Sequence, residues 1–254
     1  MGEPRVEWEP PFEGSATPLP LPGIVVFDLD GTLIDSAADL ADAVNDVLAR
    51  RRLQTWPVGA IRCWIGEGAE RLMERALSGG NDANRPSSTE TAAAVAEFRA
   101  VYAMRCTRHT TPYPGALEVL ASLRSAGHLT AILTNKPANQ TELILHSFGL
   151  DRLVDAWLGG DSAFGRKPDP RPLQMVVAHA VEKTGSRCRK GPEVWMIGDS
   201  VTDIRTAHAA GGTSIVVRGG YDDADPIDRC QPRPHRIIDS IREVLRLVPT
   251  GIAE

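Results

Sequence analysis

The sequence predicts an α/β fold in which a parallel sheet forms the core and a helical segment is inserted after the first strand. The stretch "IVVFDL" at 24–29 is apolar apart from its aspartate, which is typical of a strand buried on both faces of a parallel sheet. From residue 112 onward, strand patterns alternate with helix patterns. Between these two regions, residues 37–108 have almost uninterrupted helical patterns. We therefore predict right-handed crossovers around a discontinuous core.

Residues 1–22 precede the first strand and contain four glutamates and six prolines. They lack the basic start and the apolar block of a secretory signal. We expect them to form a disordered or loosely packed tail.

The helical insertion follows the first strand directly. Ser36 is followed three residues later by Asp39, which resembles a capping box and predicts that a helix begins there. Helical patterns are clearest at 69–77 and 91–105, with a polar loop at 79–90 between them.

The second half of the chain predicts the rest of the sheet. Its elements are, in order, a helix that stops at Gly127, a strand at 129–135, a helix from Pro137 to Gly149, a short strand at 153–160, a helix at 171–185, a strand at 193–200, a helix at 201–212, a strand at 213–217, a strand at 235–239 and a helix at 240–248. The predicted domains are the tail at 1–22, a core formed by 23–35 and 110–250, and a helical cap at 36–109.

Composition excludes several classes of function. The net charge of −5 and the absence of a basic stripe argue against a nucleic-acid partner. No apolar run is long enough to span a membrane. The four cysteines, at 63, 106, 188 and 230, have neither zinc-ligand nor disulfide-framework spacing. We expect a cytoplasmic protein with reduced thiols.

Polar residues follow several of the predicted strands, where open parallel sheets bind their ligands. They are Asp28 and Asp30 after the first strand, Thr134, Asn135 and Lys136 after the second, Lys167 in "GRKPDP", and Asp199 with Asp203 after the fourth. Carboxylates gathered in one place repel one another unless a cation is present. Oxygen ligands select a hard ion, so Mg²⁺ is the expected cofactor.

The motifs "DLDGT", "TN", "K-P" and "GDS-x-x-D" occur in the order and at the approximate spacing found in the haloacid dehalogenase superfamily of phosphatases, which this sequence closely resembles over about residues 22–248. The stretches "FDLDGTLIDSAADL", "WIGEGAERLMERAL", "TNKP" and "GRKPDPRPL" resemble its phosphoglycolate phosphatase branch. The resemblance implies a Rossmann-like core with an inserted cap and a small phosphorylated metabolite as substrate, acted on by a monomer or homodimer.

The resemblance also implies a role for each core residue. Asp28 would attack phosphorus and form an aspartyl-phosphate, and Asp30 would act as general acid and then general base. Thr134, Asn135 and Lys167 would bind the phosphoryl group. The metal ligands would be the side chains of Asp28 and Asp199, the backbone carbonyl of Asp30, and Asp203 either directly or through water.

Other functions remain as alternatives. A carbon–phosphorus hydrolase of this superfamily uses a cap lysine, and residues 36–111 contain no lysine. A haloacid dehalogenase lacks the second aspartate, which Asp30 supplies here. A sugar-phosphate phosphatase, for example one acting on N-acetylmuramate 6-phosphate, is the main alternative, and a non-catalytic phosphate-binding regulatory module is a weaker one.

The cap contains one candidate specificity loop. In "RCWIGEGAERL", Gly66 and Gly68 flank Glu67 just before a helix, so the backbone there could approach a ligand closely. The alternative is an ordinary turn between helices with Glu67 at a helix N-terminus. The resemblance favours 2-phosphoglycolate, hydrolysed to glycolate and phosphate, as the substrate. Glu67 would repel its carboxylate, and Arg62 is the nearest candidate to bind that group.

Overall fold

The computed structural model describes residues 23–184, 193–221 and 227–248. The predicted tail at 1–22, Cys188 and the last two residues of the predicted core lie outside the described residues. No helix in the described ranges is both long enough and apolar enough to cross a membrane.

Six parallel strands form the main sheet within the described part of the chain, which confirms the predicted α/β class. In spatial order they are β5 (Ala156–Leu158), β4 (Leu129–Leu133), β1 (Ile24–Phe27), β6 (Val194–Gly198), β7 (Thr213–Val217) and β8 (Arg236–Ile238). In the register, Phe27 lies between Ile132 of β4 and Ile197 of β6. The residues that follow β1, β4 and β6 therefore meet at one edge of the sheet.

Strand β1 is buried on both faces, as its continuous apolar pattern predicts. Val25 and Phe27 belong to the larger hydrophobic cluster, while Ile24 and Val26 belong to the cluster beneath α7 (Pro170–Thr184). The helices α5 (Ala116–Ser125), α6 (Ala138–Phe148), α8 (Val201–Ala209) and α9 (Val244–Leu247) complete this part of the molecule.

The inserted segment contains α1 (Ala37–Arg50), α2 (Val58–Arg62), α3 (Ala69–Ser78) and α4 (Ser88–Ala103). Its two connections to the sheet region run side by side, because β2 (Ile34–Asp35) pairs antiparallel with β3 (Thr111–Pro112). Buried side chains of the insertion and of the sheet share one hydrophobic cluster. The predicted boundaries of core and cap stay a prediction.

Three local predictions need correction. The strand predicted at 129–135 ends at Leu133, because Thr134 begins the turn that enters the site. The helix predicted at 240–248 is a 3₁₀ turn (Ile241–Glu243) followed by the short α9. Ser36 precedes α1 but makes no side-chain cap, so the predicted capping box is wrong. Asp39 instead accepts hydrogen bonds from the backbone amides of His109 and Thr110, each at 2.9 Å.

Candidate active site

The predicted catalytic residues converge because of the strand order. Asp28 directly follows β1, Thr134 follows β4 and Asp199 follows β6, and β1 lies between the other two strands. The backbone amide of Leu29 donates to Asp28 Oδ1 at 2.7 Å and fixes that carboxylate close to its own backbone. A single edge of the sheet thus gathers residues that are far apart in sequence.

Lys167 links two of the buried carboxylates. Its Nζ lies 2.7 Å from Asp28 Oδ1 and 2.7 Å from Asp203 Oδ1. The other oxygen of Asp203 accepts from the Ser200 backbone amide at 3.1 Å and from its hydroxyl at 2.7 Å, as a capping box at the start of α8. Asp203 therefore caps a helix and positions Lys167 at the same time.

Asp199 is held by groups on both sides. Thr32 Oγ1 donates to Asp199 Oδ1 at 3.1 Å, and the Tyr221 backbone amide donates to Oδ2 at 2.6 Å. The backbones of Gly31 and Gly220 pack so closely on this side chain that a Cβ at either position would collide with it. Only glycine leaves room for the carboxylate at these two places.

Asp28, Asp199 and Asp203 form a candidate metal site. Each offers a carboxylate oxygen within 4.8 Å of the others, and all three side chains are buried. Burial and the neighbouring Asp203 and Asp199 charges raise the pKa of Asp28, against the lowering effect of Lys167. Burial and the Asp203 charge raise the pKa of Asp199 to about 7. Three carboxylates share one lysine, so the donor set fits an additional hard cation.

Asp30 has a separate set of partners. Lys136 Nζ donates to its two oxygens at 2.7 and 2.8 Å, and the Ser36 hydroxyl donates to Oδ1 at 2.5 Å. This contact explains why Ser36 does not cap α1. Asp28 and Asp30 line the same cavity, but each carboxylate is paired with a different buried lysine.

Thr134 and Asn135 shape the turn after β4. Thr134 Oγ1 accepts from the Lys136 backbone amide at 3.1 Å. The Asn135 side-chain amide donates to the carbonyl of Gly66 at 3.0 Å and to that of Lys167 at 3.1 Å. Asn135 therefore connects the loop of the insertion with the loop that carries Lys167.

The predicted specificity loop lies against this turn. Gly66 has φ 117° and Gly68 has φ 92°, in the region of the backbone map that favours glycine. Gly68 precedes α3, and a Cβ there would lie 3.6 Å from the carbonyl oxygen of Asn135. Glu67 is half exposed and forms an ion pair with Arg75 at 2.5 Å. The loop approaches the site through its backbone, while the Glu67 side chain is paired with Arg75.

Arg62 contacts a different part of the molecule. Its Nη2 donates to the carbonyls of Gly219 at 3.0 Å and Gly220 at 2.9 Å, and its Cζ lies 4.9 Å from the centre of the Tyr221 ring. It is absent from the residues that line the two cavities described next. Its role in binding a substrate carboxylate stays a prediction, since these contacts join the insertion to the loop that orients Asp199.

Two cavities adjoin Asp30. The small cavity offers about 50 Å³ to the centres of water-sized molecules and is lined by the turn after β4, by Gly66 and Gly68, and by side chains of α4 and α6. The large cavity offers about 340 Å³ and reaches Asp199, with Lys167 and three arginines, Arg75, Arg166 and Arg205, in its wall. A phosphate ester at Asp28 would have space on both sides.

Sequence reasoning misses several polar residues of the site. It places Lys136 at a strand end without a role, although the position directly after Thr134 and Asn135 is a usable signal. It places Ser36 at a helix cap. It does not identify Tyr102 or Tyr221, which lie far in sequence from the four motifs, or Gln140, which follows the "TN" motif by five residues on a predicted helix.

Comparison with known proteins places this geometry in a family. The family model of haloacid dehalogenase-like hydrolases matches residues 23–211. A phosphoglycolate phosphatase of Colwellia psychrerythraea is 37% identical over 223 residues, which cover 87% of this chain and 95% of that relative. One of Rhodospirillum rubrum is 38% identical over 204 residues, covering 79% and 81%.

A solved structure shares the fold. The crystal structure of a predicted phosphoglycolate phosphatase from Haemophilus somnus 129pt matches with a TM-score of 0.76 and 31% sequence identity. The match covers 89% of this chain and 97% of the other.

Proposed function

The chain belongs to the haloacid dehalogenase-like hydrolases and is a phosphoric monoester hydrolase, and we propose that it converts 2-phosphoglycolate to glycolate and phosphate with Mg²⁺ as cofactor. The observation that carries the proposal is the pair of non-equivalent aspartates, Asp28 and Asp30, beside the carboxylates of Asp199 and Asp203. Hydrolysis of phosphate monoesters is among the slowest uncatalysed reactions, so its catalysis needs a nucleophile, a general acid and neutralisation of charge together.

Asp28 is the proposed nucleophile. One of its oxygens forms a bond to phosphorus while the bond from phosphorus to the ester oxygen breaks, and the electron pair of that bond leaves with the ester oxygen. The ammonium of Lys167, 2.7 Å from Asp28 Oδ1, reduces the repulsion between the carboxylate and the incoming phosphate. The product of this first step is an aspartyl-phosphate.

Asp30 is the proposed general acid and base. It gives its proton to the departing oxygen, and it then takes a proton from the water that attacks the aspartyl-phosphate and restores Asp28. The two roles require two carboxylates that are close but differ in surroundings. The separate pairing of Asp30 with Lys136 and Ser36 supports this division.

Asp28 and Asp199 would hold the magnesium ion with their side chains and Asp30 with its backbone carbonyl. Asp203, which also accepts hydrogen bonds from Lys167 and Ser200, would act either directly or through water. When bound, Mg²⁺ supplies positive charge against the phosphate and the buried carboxylates. Thr134, Asn135 and Lys167 complete the proposed phosphate-binding set.

The loop at 66–68 is the proposed contact between the cap and the substrate. Its backbone lies beside the turn of Thr134 and Asn135, close to where the leaving group of an ester bound at Asp28 would lie. A sugar-phosphate phosphatase is the second candidate, because the large cavity has room for a bulkier ester.

A panel of phosphate esters compared by kcat/KM with Mg²⁺ tests the proposal. We expect 2-phosphoglycolate to exceed sugar phosphates and p-nitrophenyl phosphate. A higher value for a sugar phosphate would move the assignment to the second candidate. Failure to hydrolyse any ester in the panel, by a folded protein with Mg²⁺ present, would refute the proposed reaction itself.

A further inference from the structure

The small cavity lies between the insertion and the sheet. Its apolar wall comes mainly from the insertion, with Leu40, Leu72 and Phe98 among the side chains. Its polar wall includes the aspartates Asp28 and Asp30. A leaving group that receives its proton from Asp30 would occupy this space.

Three buried polar groups in this wall have no partner within the described residues. Tyr102 of α4 is 1% exposed and Gln140 of α6 is 3% exposed. Tyr102 Oη, Gln140 Oε1 and the side-chain oxygen Oδ1 of Asn135, in the turn after β4, each lack a hydrogen-bond partner among these residues. An unsatisfied buried polar group costs roughly 1–3 kcal/mol, so such groups call for an explanation. A bound molecule that forms hydrogen bonds with them supplies one.

Lys136 adds positive charge to the same wall. Its Nζ lies 4.7 Å from the centre of the Tyr102 ring while it donates to both oxygens of Asp30. An ammonium has three N–H donors, so a third remains after these two contacts. Burial raises the pKa of the Tyr102 hydroxyl, which keeps its proton available for donation. The wall thus offers two donors, one of them charged, close to each other.

We propose that the small cavity binds the carboxylate of a short acidic leaving group, with the Tyr102 hydroxyl and the Lys136 ammonium as its donors. The inference rests on the proposed function and adds the residues that select the substrate. Gln140 Oε1 and Asn135 Oδ1, which can only accept, would receive hydrogen bonds from a water molecule beside the carboxylate and from the hydroxyl of the departing product. Gln140 also joins the two sides of the cavity, because its Nε2 donates to the carbonyl of Arg99 in α4 at 3.2 Å.

The size of the cavity limits the leaving group. One water molecule needs roughly 10–15 Å³ of such space, so the cavity's 50 Å³ has room for about three to five water-sized groups. A two-carbon acid has a similar number of non-hydrogen atoms, whereas a hexose has more than twice as many. The cavity therefore favours a two-carbon acid over a sugar.

Tyr102→Phe is the sharpest test, because it removes only the unpartnered hydroxyl and keeps the ring beside Lys136. The matched substrates are 2-phosphoglycolate and ethyl phosphate, which has the same two-carbon chain without the carboxylate. We expect kcat/KM to fall about 10- to 100-fold for 2-phosphoglycolate, since a hydrogen bond to a charged group contributes roughly 1.5–3 kcal/mol. The value for ethyl phosphate should change less than about threefold, within the usual effect of a neutral contact.

Thermal stability distinguishes a substrate-binding role of the Tyr102 hydroxyl from a structural role. Loss of an unsatisfied buried hydroxyl should leave the melting temperature of the ligand-free protein unchanged or higher. Tyr113→Phe is the matched control, because it removes a tyrosine hydroxyl that does not line this cavity. This variant should retain the wild-type ratio between the two substrates.

Binding gives a readout without turnover. In the Asp28→Asn background, calorimetry should show that Tyr102→Phe weakens 2-phosphoglycolate about tenfold or more and leaves inorganic phosphate unchanged. An unchanged substrate ratio in Tyr102→Phe, with wild-type phosphatase activity intact, would overturn this inference and leave the proposed reaction standing. The inference would also be overturned if Arg166→Gln, in the large cavity, abolished the preference that Tyr102→Phe preserved.

Discussion

The two sides of the active site differ in how completely their polar groups are paired. On the sheet side, Asp28, Asp199, Asp203 and Lys167 contact one another or the neighbouring backbone. In the wall of the small cavity, Tyr102 of the insertion and Gln140 and Asn135 of the sheet region leave polar atoms unpaired among the described residues. A fully paired cluster is prepared for chemistry that is common to many substrates. Unpaired groups can instead form hydrogen bonds with a functional group that only one particular substrate carries.

The two buried lysines repeat this contrast. Lys167 bridges Asp28 and Asp203, so it belongs to the proposed nucleophile and the metal cluster. Lys136 pairs with Asp30 and faces the ring of Tyr102, so it belongs to the proposed acid and the small cavity. Loss of Lys167 is therefore expected to slow the hydrolysis of every ester, whereas loss of Lys136 is expected mainly to change the preference among esters.

The largest effect tests the sheet side. Asp28→Asn keeps the shape of the side chain and removes the attacking charge, so kcat should fall at least about 10⁴-fold on every ester. Circular dichroism and the melting temperature would show that the variant is folded. Near-native turnover by the folded variant would eliminate aspartyl-phosphate chemistry.

The second effect tests the metal. Chelation should remove activity on all esters, Mg²⁺ should restore it, and Asp199→Ala should raise the Mg²⁺ requirement or abolish turnover. Undiminished rates in metal-free buffer would contradict the proposed site.

Stability gives an independent check on the metal. Burial and the Asp203 charge raise the pKa of Asp199 to about 7, above the value of about 4 in an unfolded chain. The folded state then binds this proton more tightly, so metal-free protein should lose stability as pH rises from about 4 to about 7. The increase in melting temperature on adding Mg²⁺ should grow over the same range. An increase that is independent of pH would argue against Asp199 as a ligand.

The third effect compares the lysines directly. Lys167→Met should lower kcat/KM about 10²- to 10³-fold on 2-phosphoglycolate and p-nitrophenyl phosphate alike, because it removes charge beside the reacting phosphate. Lys136→Met should affect 2-phosphoglycolate far more than p-nitrophenyl phosphate, whose leaving group departs without a proton. Equal losses from both variants on both esters would erase the contrast between the two sides.

The convergence of the sheet-side residues could be predicted from the sequence. Asp28, Asp199 and Lys167 each lie in a motif at or near a strand end, and parallel strands bring such positions together whatever lies between them. The central position of β1 then follows from the pairing of Phe27 with both Ile132 and Ile197. The alternation of elements was therefore sufficient to predict where these residues meet.

The insertion side could not be predicted in the same way. Tyr102 lies on α4 of the insertion, and only the packing of α4 against α6, where Gln140 donates to the Arg99 carbonyl, brings it near Asp30. Ser36 and Asp39 fit the spacing of a capping box, but both side chains bind residues that are distant along the chain or outside the helix. Ser36 donates to Asp30, and Asp39 accepts from the backbone amides at 109–110. Local pattern identifies a polar residue near a helix start, whereas its partner depends on which distant segment packs there.

The smallest effect concerns Arg62, which joins the two sides. It binds the carbonyls of Gly219 and Gly220, next to the Tyr221 amide that donates to Asp199. Arg62→Ala should therefore lower kcat/KM about three- to tenfold for 2-phosphoglycolate and p-nitrophenyl phosphate alike, as expected for contacts worth roughly 1 kcal/mol. Arg62→Lys is the control, because it keeps the charge but loses the fork of donors, and it should lose part of the same activity.

The pattern across substrates distinguishes the two possible roles of Arg62. Equal losses, with a higher Mg²⁺ requirement, would mean that Arg62 acts through the loop at 219–221 and the position of Asp199. A much larger loss on 2-phosphoglycolate would instead support the role predicted from sequence, in which Arg62 binds the substrate carboxylate. That result would also weaken the assignment of this carboxylate to Tyr102 and Lys136, because Arg62 is not among the residues that line the small cavity.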